Sequence, residues 1–133
     1  MIASFENVKW LNMAAVGLGG VIGCWLRWFL AMAWNALVPM LPLGTLAANL
    51  GGALMMGLAL GYYSKHTEWP LEWRLLVQTG FLGGLTTFST FSGESFVLIQ
   101  RGQFLWALGN IGLNLLGSLA LCALGYAAIR GAG

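Results

Sequence analysis

The stretch Leu75 to Ser95 reads LLVQTGFLGGLTTFSTFSGES, an apolar run that meets an adjacent glycine pair and then six Ser or Thr residues within ten positions. Such a set holds or passes a small ion; it does not make or break covalent bonds. A helix carrying Gly83 and Gly84 ahead of Thr86, Thr87, Ser89, Thr90 and Ser92 is expected to break there. Freed backbone groups at membrane depth persist only where protein, water or an ion satisfies them, and carbonyls at a break commonly coordinate a cation. The competing reading is an unbroken helix whose hydroxyls bond back to their own carbonyls. Beyond the glycines, Phe88 and Phe91 are three residues apart and share a helix face. Such a pair is ordinarily core or lipid contact, but an aromatic ring has a positive edge, and two edges turned to a narrow polar path favour an anion.

Other polar residues repeat at helical spacing. Asn110, Asn114 and Ser118 form one stripe, and Thr45 and Asn49 another. Amides and hydroxyls donate hydrogen bonds without carrying charge, so the stripes are either interhelical contacts or the wall of a conduit. Arg27 is the one basic residue well inside an apolar run. A charge there either snorkels to the surface or lines a wet cavity, where it attracts anions. Glu94 is the sole acid placed to lie within a span, and, near its polar neighbours Thr90 and Ser95, it is equally readable as a buried hydrogen-bonded group.

The elements that must position these residues are four apolar stretches of the length needed to cross about 30 Å of hydrocarbon as helices. They run from Leu11 to Ala36, Gly44 to Tyr63, Leu71 to Gln100 and Phe104 to Ile129. Pro39 and Pro42 mark the first connection, Ser64 to Pro70 the second, and Arg101, Gly102 and Gln103 the third. Trp10, Trp34, Trp69, Trp73 and Trp106 fall near span ends, where an indole suits the headgroup layer. The fold class is therefore an all-α membrane protein of four transmembrane helices with the third broken, and residues 1–133 form a single channel domain. Gly19 with Gly23, Gly57 with Gly61 and Gly80 with Gly84 have the spacing that lets helix backbones approach closely in lipid.

Composition agrees: 59% of the 133 residues are hydrophobic and 8% charged, with a net charge of +2. That is too little charge to stay soluble or to hold nucleic acid. Cys24 and Cys122 are isolated in apolar runs and read as small core residues. The segment Met1 to Lys9 carries Glu6 and leads into an apolar run too long for a signal peptide, so the whole chain is read as mature. Lys9, Lys65, Arg74 and Arg130 collect at the end that holds both termini, which leans towards cytoplasmic termini. The bias is small enough that insertion in both orientations is a live alternative. Its natural closed assembly is an antiparallel two-fold dimer.

The segments GFLGGLTTFSTFSGE (Gly80 to Glu94), GTLAAN (Gly44 to Asn49) and NIGLNLLGS (Asn110 to Ser118) resemble the Fluc/CrcB fluoride channels over most of the chain. The resemblance implies an antiparallel dual-topology homodimer in the bacterial cytoplasmic (inner) membrane, multi-pass and surrounded by lipid, with two fluoride pores and a central structural sodium ion (Na+). Phe88 and Phe91 resemble the pore rings, Asn49 the pore asparagine, and Arg27 the vestibule arginine. Gly83 and Thr86 resemble the residues whose carbonyls hold sodium. Asn110, Asn114 and Ser118 fall on the polar track, and Ser89, Thr90 and Ser92 neighbour the Phe pair. The implied role is passive export of fluoride that limits its toxicity in the cytoplasm. Two other readings compete. A small dual-topology proton-coupled multidrug exporter needs a carboxylate in the first span, where this chain has Arg27. A structural membrane subunit would use the polar stripes for assembly. An enzyme is not expected: His66 sits in a loop, with no nucleophile, base and orienting group together.

Overall fold

A computed structural model describes Phe5 and residues 8–132; Glu6, and with it the reading of the N-terminal segment, lies outside the described residues. The first apolar stretch forms α1 (Trp10–Trp34) and the second α2 (Leu43–Lys65). The third is divided into α3 (71–85) and α4 (Phe88–Gln100), and the fourth is α5 (Phe104–Gly131). The ends differ from the expected spans by one or two residues, within the ordinary fraying of helix termini. By length and composition α1, α2 and α5 are each able to cross a membrane. Neither half of the third stretch is; only the two in series match that depth.

The turns follow from the local sequence. Pro42 leads into α2 and Pro70 into α3, each with extended backbone at the point where a missing N–H costs nothing. Gly102, at φ 73°, is the one positive-φ residue among those described, and it closes α4 tightly enough for the Gln103 N–H to reach the Leu98 carbonyl at 2.8 Å. Lys65 donates to the Ile129 carbonyl at 2.6 Å, placing a cation at the negative end of α5.

Packing is organised by two parallel helix pairs. In the first, α1 lies along α3, and Gly19 and Gly23 face the backbone of Leu76, Phe81 and Leu85 while Gly80 and Gly84 face that of Val16 and Gly20. In the second, α2 lies along α5: Gly57 and Gly61 meet Cys122, Tyr126 and Ile129, and Gly125 meets Leu54. No side chain fits at these crossings, so the glycine spacing does what its pattern suggests. Ala48, Leu82 and Leu85 form the small core where the two pairs join, with Leu30, Met55, Met56, Val77 and Phe81 around it. Beyond the break α4 leaves α1 and packs on the first turns of α5. Residues 75–82 and 113–117 wind as π-helix, a wide form that is rare and concentrated at functional sites.

Candidate ion conduit

The break occupies Thr86 and Thr87, whose backbones are extended (φ −87°, ψ 154° and φ −150°, ψ 117°). The glycine pair lies in the last turn before it, not in it. Several of the freed groups can be followed. Thr86 donates its N–H and its hydroxyl to the Leu82 carbonyl at 3.0 and 2.9 Å. Arg27 donates Nε–H to the Gly84 carbonyl at 3.0 Å, with Nη2 3.7 Å from Cys24 Sγ. Arg27 is thus half-buried against the end of α3. The Thr87 N–H donates to Asn49 Oδ1 at 2.7 Å, and Asn49 Nδ2 donates to the Thr87 carbonyl at 3.1 Å. The Thr87 hydroxyl caps α4 by accepting the Thr90 N–H at 3.1 Å.

From Asn49 the polar groups continue across the helices. Asn49 Nδ2 also donates to Asn114 Oδ1 at 2.8 Å; Asn114 donates to the carbonyl and side-chain oxygens of Asn110 at 2.9 and 3.0 Å. Asn110 donates to Ser95 at 3.0 Å, and Ser95 to the Phe91 carbonyl at 2.7 Å. Thr45, one helical turn before Asn49, donates to Glu94 Oε1 at 2.7 Å and accepts from Asn35 at 3.3 Å. Asn49, Asn110, Asn114, Thr45 and Ser95 are all buried. Thr45 and Asn49 from one stripe and Asn110 and Asn114 from the other are therefore brought together into one hydrogen-bonded column, with Glu94 at its side; Ser118 stands outside these bonds.

The two readings of the Ser and Thr residues divide by position. Thr86, Ser92 and Ser95 bond back to carbonyls four residues earlier, as in an ordinary helix. Thr87 and Thr90 bond to one another at the new helix start, and Ser89 is exposed beside them. Asn35 and Ser95 also join the column, although neither lies on the stripes given by spacing. Asn35 stands at the end of the first span, and Ser95 four residues beyond Phe91, which was the signal available. Glu94 bonds to Thr45 on another helix, neither to Thr90 nor to Ser95.

Phe88 and Phe91 stand edge to face, with ring centroids 4.9 Å apart and planes at 79°. Phe91 is buried at 8% exposure and Phe88 projects at 73%. Both rings border two grooves. One, of about 360 Å³, is lined by Asn49, Thr87, Asn114 and Ser118; the other, of about 310 Å³, is lined by Ser92, Ser95 and Ile111. The ring pair, with Leu115, is common to both, and the remaining lining of each is mainly apolar. A third groove of about 260 Å³ holds Glu94 and Arg101 near Pro39 and Pro42. Among the described residues no group of three or more His, Cys, Asp or Glu side chains could hold a metal ion.

The family model described as "CrcB-like protein, Camphor Resistance (CrcB)" matches residues 14–126. A protein of Cupriavidus metallidurans named "Fluoride-specific ion channel FluC" is 49% identical over 120 residues, covering 90% of this chain and 95% of its own. Proteins of the same name from Cupriavidus pinatubonensis and Pseudomonas putida are 55% identical over 115 residues and 54% over 116. They cover 86% and 87% of this chain and 91% of their own lengths.

Proposed function

The chain belongs to the CrcB-like family, and from that membership and the geometry of the break we propose that it is a passive, fluoride-selective channel. The observation that carries the reading is the Phe88–Phe91 pair, bordering two grooves and beside a hydrogen-bonded column at a broken membrane helix. Fluoride is small and strongly hydrated, so a conduit has to replace its water with donors yet bind weakly enough to release it. Ring edges and the hydroxyls of Ser118, Ser89 and Thr90 suit that task, while Asn114, Asn110 and Ser92, whose donors are given to neighbouring protein oxygens, build the wall together with Asn49. A full positive charge in the wall would hold the ion; Arg27 is spent on the Gly84 carbonyl and contributes attraction at longer range. Nothing is oxidised, hydrolysed or transferred. The flux follows the fluoride gradient and membrane potential, which in a bacterial inner membrane means export of fluoride trapped in the cytoplasm.

The functional unit in this reading is an antiparallel, dual-topology homodimer. Only 11% of the apolar window of α1 and of α5 is buried within one chain. Lipid accounts for exposed apolar faces, but not for Ser89, Thr90 and the interrupted backbone beside them, which need a polar or protein neighbour at membrane depth. A second copy related by a two-fold axis supplies one. The carbonyls of Gly83 and Thr86 are hard oxygen donors near the break, a donor set that fits sodium, and they are the residues that would hold it. Sodium there would supply the charge that lets carbonyls of two copies approach.

The test is anion efflux from liposomes containing the purified protein, with valinomycin and a potassium gradient. Fluoride is expected to leave quickly with chloride retained, and Phe88→Ile to abolish the fluoride flux. Folded protein that releases no fluoride, or an unaltered flux in Phe88→Ile, would overturn the reading.

A further inference from the structure

We infer that Asn49 is a positioning residue, whose side-chain amide clasps both backbone groups of Thr87 and so fixes where Phe88 stands. The inference rests on the channel reading only for its consequence in transport; the clasp is a matter of geometry.

Three observations support it. First, the capacity of the amide is committed: Oδ1 accepts the Thr87 N–H at 2.7 Å, one Nδ2 hydrogen goes to the Thr87 carbonyl at 3.1 Å and the other to Asn114 Oδ1 at 2.8 Å. A primary amide has two donor hydrogens, so none is left pointing at a passing ion. Second, the target is a backbone that has lost its helical partners. The Thr87 N–H would otherwise seek the Gly83 carbonyl, and the extended conformation at Thr86 turns it away. A paired donor and acceptor reproduce what a neighbouring strand offers and hold the peptide against rotation. Third, Thr87 is the cap of α4 and directly precedes Phe88, so the angle at which Thr87 is held determines the direction of α4. Asn49 itself is anchored on α2, 7% exposed and next to Ala48 in the core that joins the two helix pairs. The clasp thus ties the half of the broken helix beyond the break to the packed helix pairs. By contrast, Asn114 touches Asn49 without touching Thr87.

Amide hydrogen exchange at Thr87, followed by NMR on the full-length protein in lipid nanodiscs, reads the clasp without reference to transport. In the wild-type protein the Thr87 amide is expected to be protected, although it lies outside regular helix; free exchange there overturns the inference before any variant is made. Asn49→Ala is expected to speed exchange at Thr87 roughly tenfold to a hundredfold, the loss of two ordinary hydrogen bonds, while amides in α2 and α5 keep their protection. Asn49→Asp, which retains the acceptor but not the donors, keeps the Thr87 N–H protected and shifts its carbonyl resonance. It carries the test if the alanine variant does not assemble. Asn114→Ala leaves Thr87 protected. Unchanged exchange in Asn49→Ala, or equal acceleration in Asn114→Ala, would refute the clasp and return Asn49 to the role of direct ion ligand. In liposomes, Asn49→Ala is expected to lose discrimination between fluoride and chloride together with flux. Fluoride flux absent from wild type would instead sink the channel reading and leave the exchange result standing.

Discussion

Replacing Gly23 by alanine tests the link between helix packing and the break. A Cβ at Gly23 would press on the Phe81 carbonyl and lie 2.7 Å from the Leu85 nitrogen. Comfortable contact with a heavy atom begins near about 3.5 Å, so α1 must retreat by at least about 0.8 Å to clear the nitrogen, and further to clear the nearer carbonyl, or α3 must deform. The obstacles are backbone atoms of a helix and cannot rotate away. Overpacking of this kind costs about 1 to 3 kcal/mol, against which the better helix propensity of alanine returns at most about 1 kcal/mol. Gly17 is six residues earlier on the same helix, and a Cβ there meets nothing within 4 Å. Gly17→Ala keeps the propensity gain and no penalty; the gain is common to both, so the two variants should differ by the overpacking cost of about 1 to 3 kcal/mol, with Gly23→Ala the less stable. The same retreat of α1 would carry Arg27 away from the Gly84 carbonyl, now at 3.0 Å, and beyond hydrogen-bond range. Stability in detergent, measured by denaturant titration, and fluoride efflux should therefore fall together in Gly23→Ala. A Gly23→Ala protein as stable as Gly17→Ala would refute the close crossing, and normal efflux in a destabilised Gly23→Ala protein would refute the link to the break.

Thr45→Val keeps the shape of the side chain and removes the hydroxyl that donates to Glu94; a bond to a carboxyl group of this kind is worth about 1.5 to 3 kcal/mol, and the loss should appear in denaturant titration, with Thr45→Ser close to wild type. Equal stability of Thr45→Val would remove Glu94 from the column. If the proposed dimer is held by sodium, replacing sodium by N-methylglucamine throughout purification is expected to lower its thermal stability and to leave monomer helicity unchanged; no change in stability would argue against sodium at Gly83 and Thr86. A single cysteine at position 66, made as His66→Cys with Cys24→Ala and Cys122→Ala, should be labelled in about half of the molecules from each side of a sealed vesicle if both orientations are inserted. Labelling of all molecules from one side alone would sink the dual-topology dimer.

The architecture was legible in the sequence where the cause is local. Lipid admits only backbones that satisfy themselves, so uninterrupted apolar length places α1, α2 and α5, and a glycine pair before six hydroxyl residues marks the weak point of the third span. Periodicity of 3.6 residues puts Phe88 with Phe91, and Asn110 with Asn114, on common faces whatever lies opposite. The pairing of faces is another matter. Asn49 reaches Thr87 across 38 positions and Asn114 across 65, and Thr45 reaches Glu94 across 49. Spacing along one helix cannot specify such partners. They follow from the parallel glycine crossings, which set the depth and rotation of each helix, and from the extended turn at Thr86 and Thr87, which swings α4 towards α5. Composition and period determined that this chain crosses a membrane with polar groups inside it. Tertiary packing decided which donor meets which acceptor, because a hydrogen bond is made or lost within half an ångström, a distance fixed by the fit of whole helices and not by any one residue type.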